Sequence, residues 1–338
     1  MPRLARLLAC SAALTAAACG SSGRTPPPAP ASPRAPDEPP PAAAAPAVPG
    51  HVDEPPPART GTSIVVAGRR VEVGSPVVTW EDPGGYDGLR ETCFFSDATL
   101  PSSPAAGCDT PRRYAARDVD PSKVDLVVMH YDVAWTSRNC FRVLHDVRGL
   151  SCHFLLDVDG TIYQTLDLAL RARHAGGVND RSVGIEIAHP GPLELTAGLA
   201  DRYARDEASG AVRFDLGARS GDVRTGDFVV RPARAEPVAG PIHGRTYTMY
   251  DFTDAQYEAL GRLLAALARA FPEVRLEAPR GPDGAVTTTV ADPATFGAAA
   301  GVGVIGHYHV TRAKQDPGPA FDWERVLAAA RARREADD

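Results

Sequence analysis

The sequence predicts an α/β fold, a central mixed β-sheet flanked by helices. Three observations predict it. Short β-branched and apolar runs recur, as at residues 124–129 and 183–188. One long apolar stripe at helical spacing follows Thr253. Between them, strand-like and helix-like stretches alternate irregularly, as a mixed sheet with helices on its faces requires.

In chain order, the folded part is expected to begin near residue 61. Residues 64–66 and 71–78 read as strands around a turn at Gly68, and 81–120 are rich in Gly, Pro, Asp and Ser and read as long loops. The run DLVVM is a buried strand that ends at His130, placing an imidazole at a sheet edge. Residues 137–148 read as a helix. HFLLD, the Asp159-Gly160 turn and residues 161–164 read as a hairpin. VGIEIA is a further strand with Glu186 inside it, closed by Pro190-Gly191-Pro192. Residues 191–250 are polar and read as an insertion around the rim. Thr253 followed by Gln256 is a capping-box pattern, and Tyr257, Leu260, Leu263, Leu264 and Leu267 form one helical stripe. Residues 275–303 form a second insertion. A last strand at 302–305 and a closing helix at 321–331 complete the chain. The expected divisions are 1–19, 20–60, an extension at 61–120 packed on the core, and a main domain at 121–330 with insertions near 191–250 and 275–300.

The first nineteen residues carry an export pattern. Arg3 and Arg6 precede a short apolar run that ends in small residues and then Cys19-Gly20. The run is short for a membrane span, which takes about 20 apolar residues. The small residues before Cys19 match a bacterial lipobox, with Ala16 where Leu is preferred, so Cys19 is expected to carry a lipid anchor. Residues 21–60 are dominated by Pro and Ala and contain no aromatic residue. Such a segment buries too little apolar surface to offset its ordering entropy and reads as a stiff tether. The expected address is periplasm-facing, at the outer membrane. A net charge of −6 gives no basic surplus, which argues against a nucleic-acid partner.

Cys93, Cys108, Cys140 and Cys152 remain once Cys10 and Cys19 are assigned to the leader. In an oxidising compartment an even count favours disulfides. Cys140 with Cys152 and Cys93 with Cys108 are the locally simplest pairs. Zinc thiolates compete, but no CxxC spacing supports them.

Histidine position matters more than histidine number. His130 ends one strand. His307 follows VGVIG, and Asp316 lies nine residues further on in the same loop. Two imidazoles and a carboxylate suit a catalytic zinc that keeps one position for water. No HExxH helix is present, so the common zincin arrangement is excluded.

Five segments, in order, resemble the zinc-dependent N-acetylmuramoyl-L-alanine amidases, whose fold is shared with peptidoglycan recognition proteins and the phage T7 lysozyme. They are DLVVMHYDVAW, CHFLLDVDGTIYQTLDLALRARHAG, NDRSVGIEIAHP, FTDAQYEALGRLLAAL and GHYHVTRAKQDPGPAFDW. The resemblance spans roughly residues 122–328. It implies His130, His307 and Asp316 as zinc ligands, Glu186 as catalytic acid or base, and Lys314 as the oxyanion-stabilising cation. It implies that His174 lines the substrate cleft and that Asn179 helps hold the loop before the glutamate strand and belongs to the substrate-binding set. No organic cofactor is expected, and the partner is peptidoglycan or its muropeptides, acted on by a monomer. The implied reaction is hydrolysis of the amide between N-acetylmuramic acid and L-alanine; a peptidoglycan-binding protein of the same fold is the alternative. Two departures stand out. The spacing from His307 to Asp316 is one residue short of the common bacterial form, which makes His309 a candidate auxiliary ligand. Phe154 stands where Tyr is common.

Overall fold

The computed structural model describes residues 61–95 and 120–337. The leader, the Pro-rich tether and the proposed anchor at Cys19 lie outside the described residues, as does Cys108. Among the described residues, no helix is long and apolar enough to cross a membrane.

The chain folds around a seven-stranded mixed sheet. Its strands are β1 (Gly61–Val66), β2 (Arg69–Thr79), β3 (Leu126–Tyr131), β4 (Phe154–Leu156), β5 (Ile162–Gln164), β6 (Ser182–Ile187) and β11 (Val304–Gly306), in the order β1-β2-β5-β4-β6-β3-β11. β4, β6, β3 and β11 run parallel, while β1–β2 and β4–β5 are antiparallel. β2 pairs in parallel with β5, so the segment expected to pack on the core as an extension supplies two strands of the central sheet.

Two helices cover one face. α2 (Asp254–Ala270) opens with the predicted capping box: Thr253 Oγ1 accepts from the Gln256 N–H, and the Gln256 side chain accepts from the Thr253 N–H. Its stripe of Tyr257, Leu260, Leu263, Leu264 and Leu267 is buried. Against it lie Val127, Met129 and Tyr131 of β3, Ile185 and Ile187 of β6, and Val326 and Leu327 of α4 (Trp323–Asp337). Side chains alternate across a strand, so Val128, His130 and Glu186 face the other way. That second face is covered only in part. One patch gathers Leu126, Val128, Ala175, Val178, Phe296 and Ile305. Another gathers Tyr86, Phe141, Leu155 and Tyr163. The functional residues lie in the space these patches leave.

The expected helix at 137–148 divides. α1 (Ser137–Phe141) is capped by Thr136, whose hydroxyl accepts from the Asn139 N–H, and residues Arg142–Val147 continue as a π-helix. The buried Asp146 carboxylate accepts from the N–H groups of Phe94 and Phe95 at 2.9 and 3.1 Å. These bonds, with Phe94 and Tyr86 packed on Phe141, fix the loop after β2.

The expected bridge between Cys140 and Cys152 is not formed, and both are free, buried thiols. They lie in the aromatic patch with Phe141 and Leu155, where a thiol packs as a small hydrophobe. The expectation for Cys93 falls on a partner outside the described residues.

The 191–250 insertion is ordered by two hairpins, β7–β8 (Tyr203–Arg205 with Val212–Phe214) and β9–β10 (Val238–Ile242 with Arg245–Met249). Phe214, Leu216, Val223 and Val230 bury against Val158 and Ala188, giving the insertion its own small core.

Candidate metal centre

His130 is the fifth residue of β3, not its terminus, and only Tyr131 follows it in the strand. In the parallel pairing of β3 with β6 it stands directly opposite Glu186. β11 lies on the other side of β3 and leads at once into the short helix α3 (His307–Val310), which begins with His307. The loop after α3 returns Asp316, held by a bond from the Tyr308 N–H to the Asp316 carbonyl. Adjacent parallel strands and the loop after α3 thus bring together His130 and Asp316, 186 positions apart.

The three donors converge. Asp316 Oδ2 lies 2.8 Å from His130 Nδ1 and 3.0 Å from His307 Nδ1. The two imidazole centres are 4.5 Å apart with planes at 75°. One ligand atom from each residue falls within 4.8 Å of the others, and all three residues are buried. One carboxylate oxygen faces two imidazole nitrogens at the centre of the cluster. That donor set fits a divalent ion that prefers nitrogen and carboxylate ligands, with zinc foremost.

Electrostatics agree with the geometry. Burial pushes the Asp316 carboxyl upward, but the His307 charge and the bonds from both imidazoles outweigh it and hold Asp316 well below the usual carboxylate range. Burial and the neighbouring His307 push His130 down to about 4. An imidazole that stays neutral is the form that binds metal.

His174 is the second partner of His130, with its Nδ1 3.1 Å from His130 Nε2. When His130 Nδ1 faces the cluster as an acceptor, its Nε2–H donates to His174 Nδ1. His174 Nε2–H then points at Ser182 Oγ, 3.3 Å away. This fixes the His130 tautomer and ring plane, as outer partners do in metal sites. Asn179 is buried, and its side-chain oxygen accepts from the N–H groups of His174 and Ala175 at 3.1 and 2.7 Å. It shapes the loop that carries His174.

Alternate residues of β6 build the floor of the site. Ser182 meets His174, Glu186 faces the metal cluster, and Gly184 between them has no side chain because none fits. A Cβ there would stand 2.6 Å from His174 Nδ1 and 2.8 Å from Cys152 Sγ. Glu186 alone in this strand is partly exposed. Burial, then the charges of Asp316 and Asp132, raise its carboxyl well above the ordinary value, and Lys314 and Arg148 oppose that rise. Lys314 is partly buried on the loop before Asp316, and its charge also acts on His130.

Other described histidines have structural partners. His309 Nδ1 accepts from the Gly306 N–H and its Nε2 donates to the Thr287 carbonyl, at 2.9 and 2.8 Å, so neither nitrogen is free for a metal. His153 accepts from the Gly184 N–H and donates to the Leu170 carbonyl. His189 Nδ1 accepts from the Gly191 N–H.

Two further residues support the site, Asp132 and His243. Asp132 Oδ1 accepts from the N–H groups of Ala134, Trp135 and His189, tying the loop after β3 to the end of β6. Val133 and Trp135 in that loop have positive φ, which nothing in their identity announces. His243 reaches the Lys314 carbonyl from the far insertion.

The profile of the N-acetylmuramoyl-L-alanine amidase family matches residues 120–319. No curated protein matches the chain. Among solved structures, a selenomethionine derivative of AmpD is 21% identical, covering 71% of this chain and 98% of its own, with a TM-score of 0.31. AmpDh3 from Pseudomonas aeruginosa, in complex with an anhydromuramic pentapeptide, is 18% identical over 69% of this chain and 66% of its own, with a TM-score of 0.34. The amidase AmiD from E. coli, with an anhydro-N-acetylmuramic acid peptide substrate, is 18% identical over 65% and 61%, with a TM-score of 0.33.

Proposed function

Because the chain belongs to the N-acetylmuramoyl-L-alanine amidase family, we propose that it is a zinc-dependent hydrolase of the amide between N-acetylmuramic acid and L-alanine in peptidoglycan or muropeptides. The observation that carries this reading is the buried convergence of His130, His307 and Asp316 beside Glu186, the residue opposite His130 in the sheet.

His130, His307 and Asp316 hold the ion. When bound, zinc polarises the substrate carbonyl and lowers the pKa of water. Glu186 is the proton carrier. Its raised carboxyl pKa suits it to take a proton from water and to return it to the departing amine. Lys314 presents its ammonium to the developing oxyanion. His174 serves the cleft by orienting His130, and Asn179 by shaping the His174 loop. The export pattern and the Pro-rich tether support a lipid-anchored, periplasm-facing enzyme, with Cys19 as the anchored residue.

The test is direct. The purified folded region is incubated with peptidoglycan, with and without a chelator, and products are identified by mass spectrometry. Release of intact stem peptides beginning with L-alanine, abolished by chelation and restored by zinc, is the expected result. Tight binding with no cleavage by zinc-loaded protein would move the chain to the binding class. Cuts within the stem peptide would make it a peptidase.

A further inference from the structure

The geometry points to His243, at the tip of the β9–β10 hairpin, as a positioning residue that sets Lys314 over the metal cluster. The inference rests on the amidase reading above and gives the insertion at 191–250 a task within it.

The local backbone favours asparagine over histidine at this position. Ile242 pairs with Arg245, so His243-Gly244 is a two-residue hairpin loop. Both residues have positive φ, 53° and 79°, the signature of a type I′ turn. Asn-Gly is the sequence that such a turn favours. Histidine tolerates positive φ less well, and here it also buries Nδ1 without a hydrogen-bond partner.

The ring's other nitrogen supplies the compensation. His243 Nε2 donates to the Lys314 carbonyl at 3.0 Å, across 71 residues of sequence. An asparagine side chain on the same backbone is too short to make that bond. The loop needs the tether. Within it, the Lys314 N–H reaches the Thr311 carbonyl at 3.4 Å and the Ala313 N–H reaches Thr311 Oγ1 at 3.3 Å, both at the weak end of hydrogen bonding.

Neighbouring contacts make the hairpin a rigid support. The His243 N–H donates to the Thr288 carbonyl at 2.9 Å, which ties the tip to the second insertion. The His309 Nε2–H donates to the carbonyl of Thr287, next in the chain, so the same segment of the insertion also steadies α3. Met249 at the other end of β10 packs so closely on Gly318 that a Cβ there would collide with its sulfur. A Cβ on Gly240 of β9 would stand 2.9 Å from Pro319. The hairpin therefore grips the segment that carries Lys314 and Asp316 at both ends.

His243→Asn separates turn chemistry from positioning. Asparagine suits the turn but loses the reach. Thermal stability should hold or rise, and zinc content should be unchanged. In zinc-free protein, amide hydrogen exchange at residues 311–316 should quicken several-fold. In loaded protein, kcat should fall about ten-fold or more with KM little changed, because a small displacement of a charge-stabilising group costs turnover. His243→Gln keeps a donor at the same reach and should recover most of both losses. Wild-type exchange in His243→Asn, or wild-type kcat despite faster exchange, would overturn the assignment. If wild-type protein itself shows no cleavage, the amidase reading fails, and the exchange measurement still decides whether His243 holds the loop.

Discussion

His130 and Glu186 face each other across the parallel pair β3–β6, on the sheet face that α2 leaves free. Parallel strands in register put both side chains on one face, level with each other. One residue can then hold an ion while the other handles protons beside it without being a ligand.

That separation can be measured. Glu186→Gln keeps the volume and removes the carboxylate. It should fold, keep near-normal zinc, bind peptidoglycan, and lose turnover by about 10²-fold or more. Lys314→Met should lose turnover with zinc retained, by a smaller factor, since the charge acts at one stage and the carboxylate at two. Zinc loss in Glu186→Gln would make the residue a ligand or a ligand's support. Full turnover would remove it from the mechanism.

The two histidines of α3 should separate as sharply. His307 points one nitrogen at Asp316, while both His309 nitrogens are bonded to backbone. His307→Ala should abolish stoichiometric zinc and activity. His309→Ala should leave zinc bound and lower the melting temperature instead, since it strands the Gly306 N–H and the Thr287 carbonyl, each loss worth about 1–3 kcal/mol. Metal analysis with thermal melts on both variants decides the matter, and a reversed pattern would invert the ligand assignment.

The clustered donors were legible because few residue types bind zinc and five segments in order resembled the amidases; position alone did not place them, since His130 lies inside β3 and Asp316 on a loop. The α2 helix was legible because its cap and stripe are local. What supports the site was not. Gly184 reads as one more small residue in an apolar strand, and only a ring arriving from the loop at His174 makes it necessary. The insertion hairpins were not legible because their strands are only three to five residues long, too short to display a period. The Cys140 and Cys152 pairing was inferred from compartment and spacing, yet side-chain packing, which spacing does not encode, keeps both as thiols.

Gly184 yields a prediction of its own. A methyl group there presses on His174 Nδ1, the atom that receives the His130 Nε2–H. Gly184→Ala should destabilise the fold by about 1–3 kcal/mol through overpacking. It should also weaken zinc affinity by roughly 10-fold or more, because the outer partner of a ligand is displaced. Titration with a competing chelator measures the second effect. Unchanged affinity alongside lost stability would show that His174 does not orient His130.

Acid sensitivity follows from two histidines away from the ligand set. Burial pushes His153 down to about 4 and His189 down to about 3. Each Nδ1 accepts a backbone N–H, from Gly184 and Gly191 respectively, so a proton on that nitrogen would face another donor. Unfolded, both rings titrate near 6.5. Between that value and the folded values the unfolded chain binds more protons, so stability rises with pH. The contribution is complete above about pH 6.5 and is lost on acidification, at about 1.4 kcal/mol per pH unit for each ring, down to about pH 4 for His153 and about pH 3 for His189. Urea melts of zinc-free protein between pH 7.5 and 4.5 should show this slope. His189→Gln, which retains an acceptor for Gly191 but does not titrate, should lower the slope by that ring's own share, about 1.4 kcal/mol per pH unit. An unchanged slope in that variant would mean that His189 is already protonated in the folded protein or that other groups govern its acid unfolding.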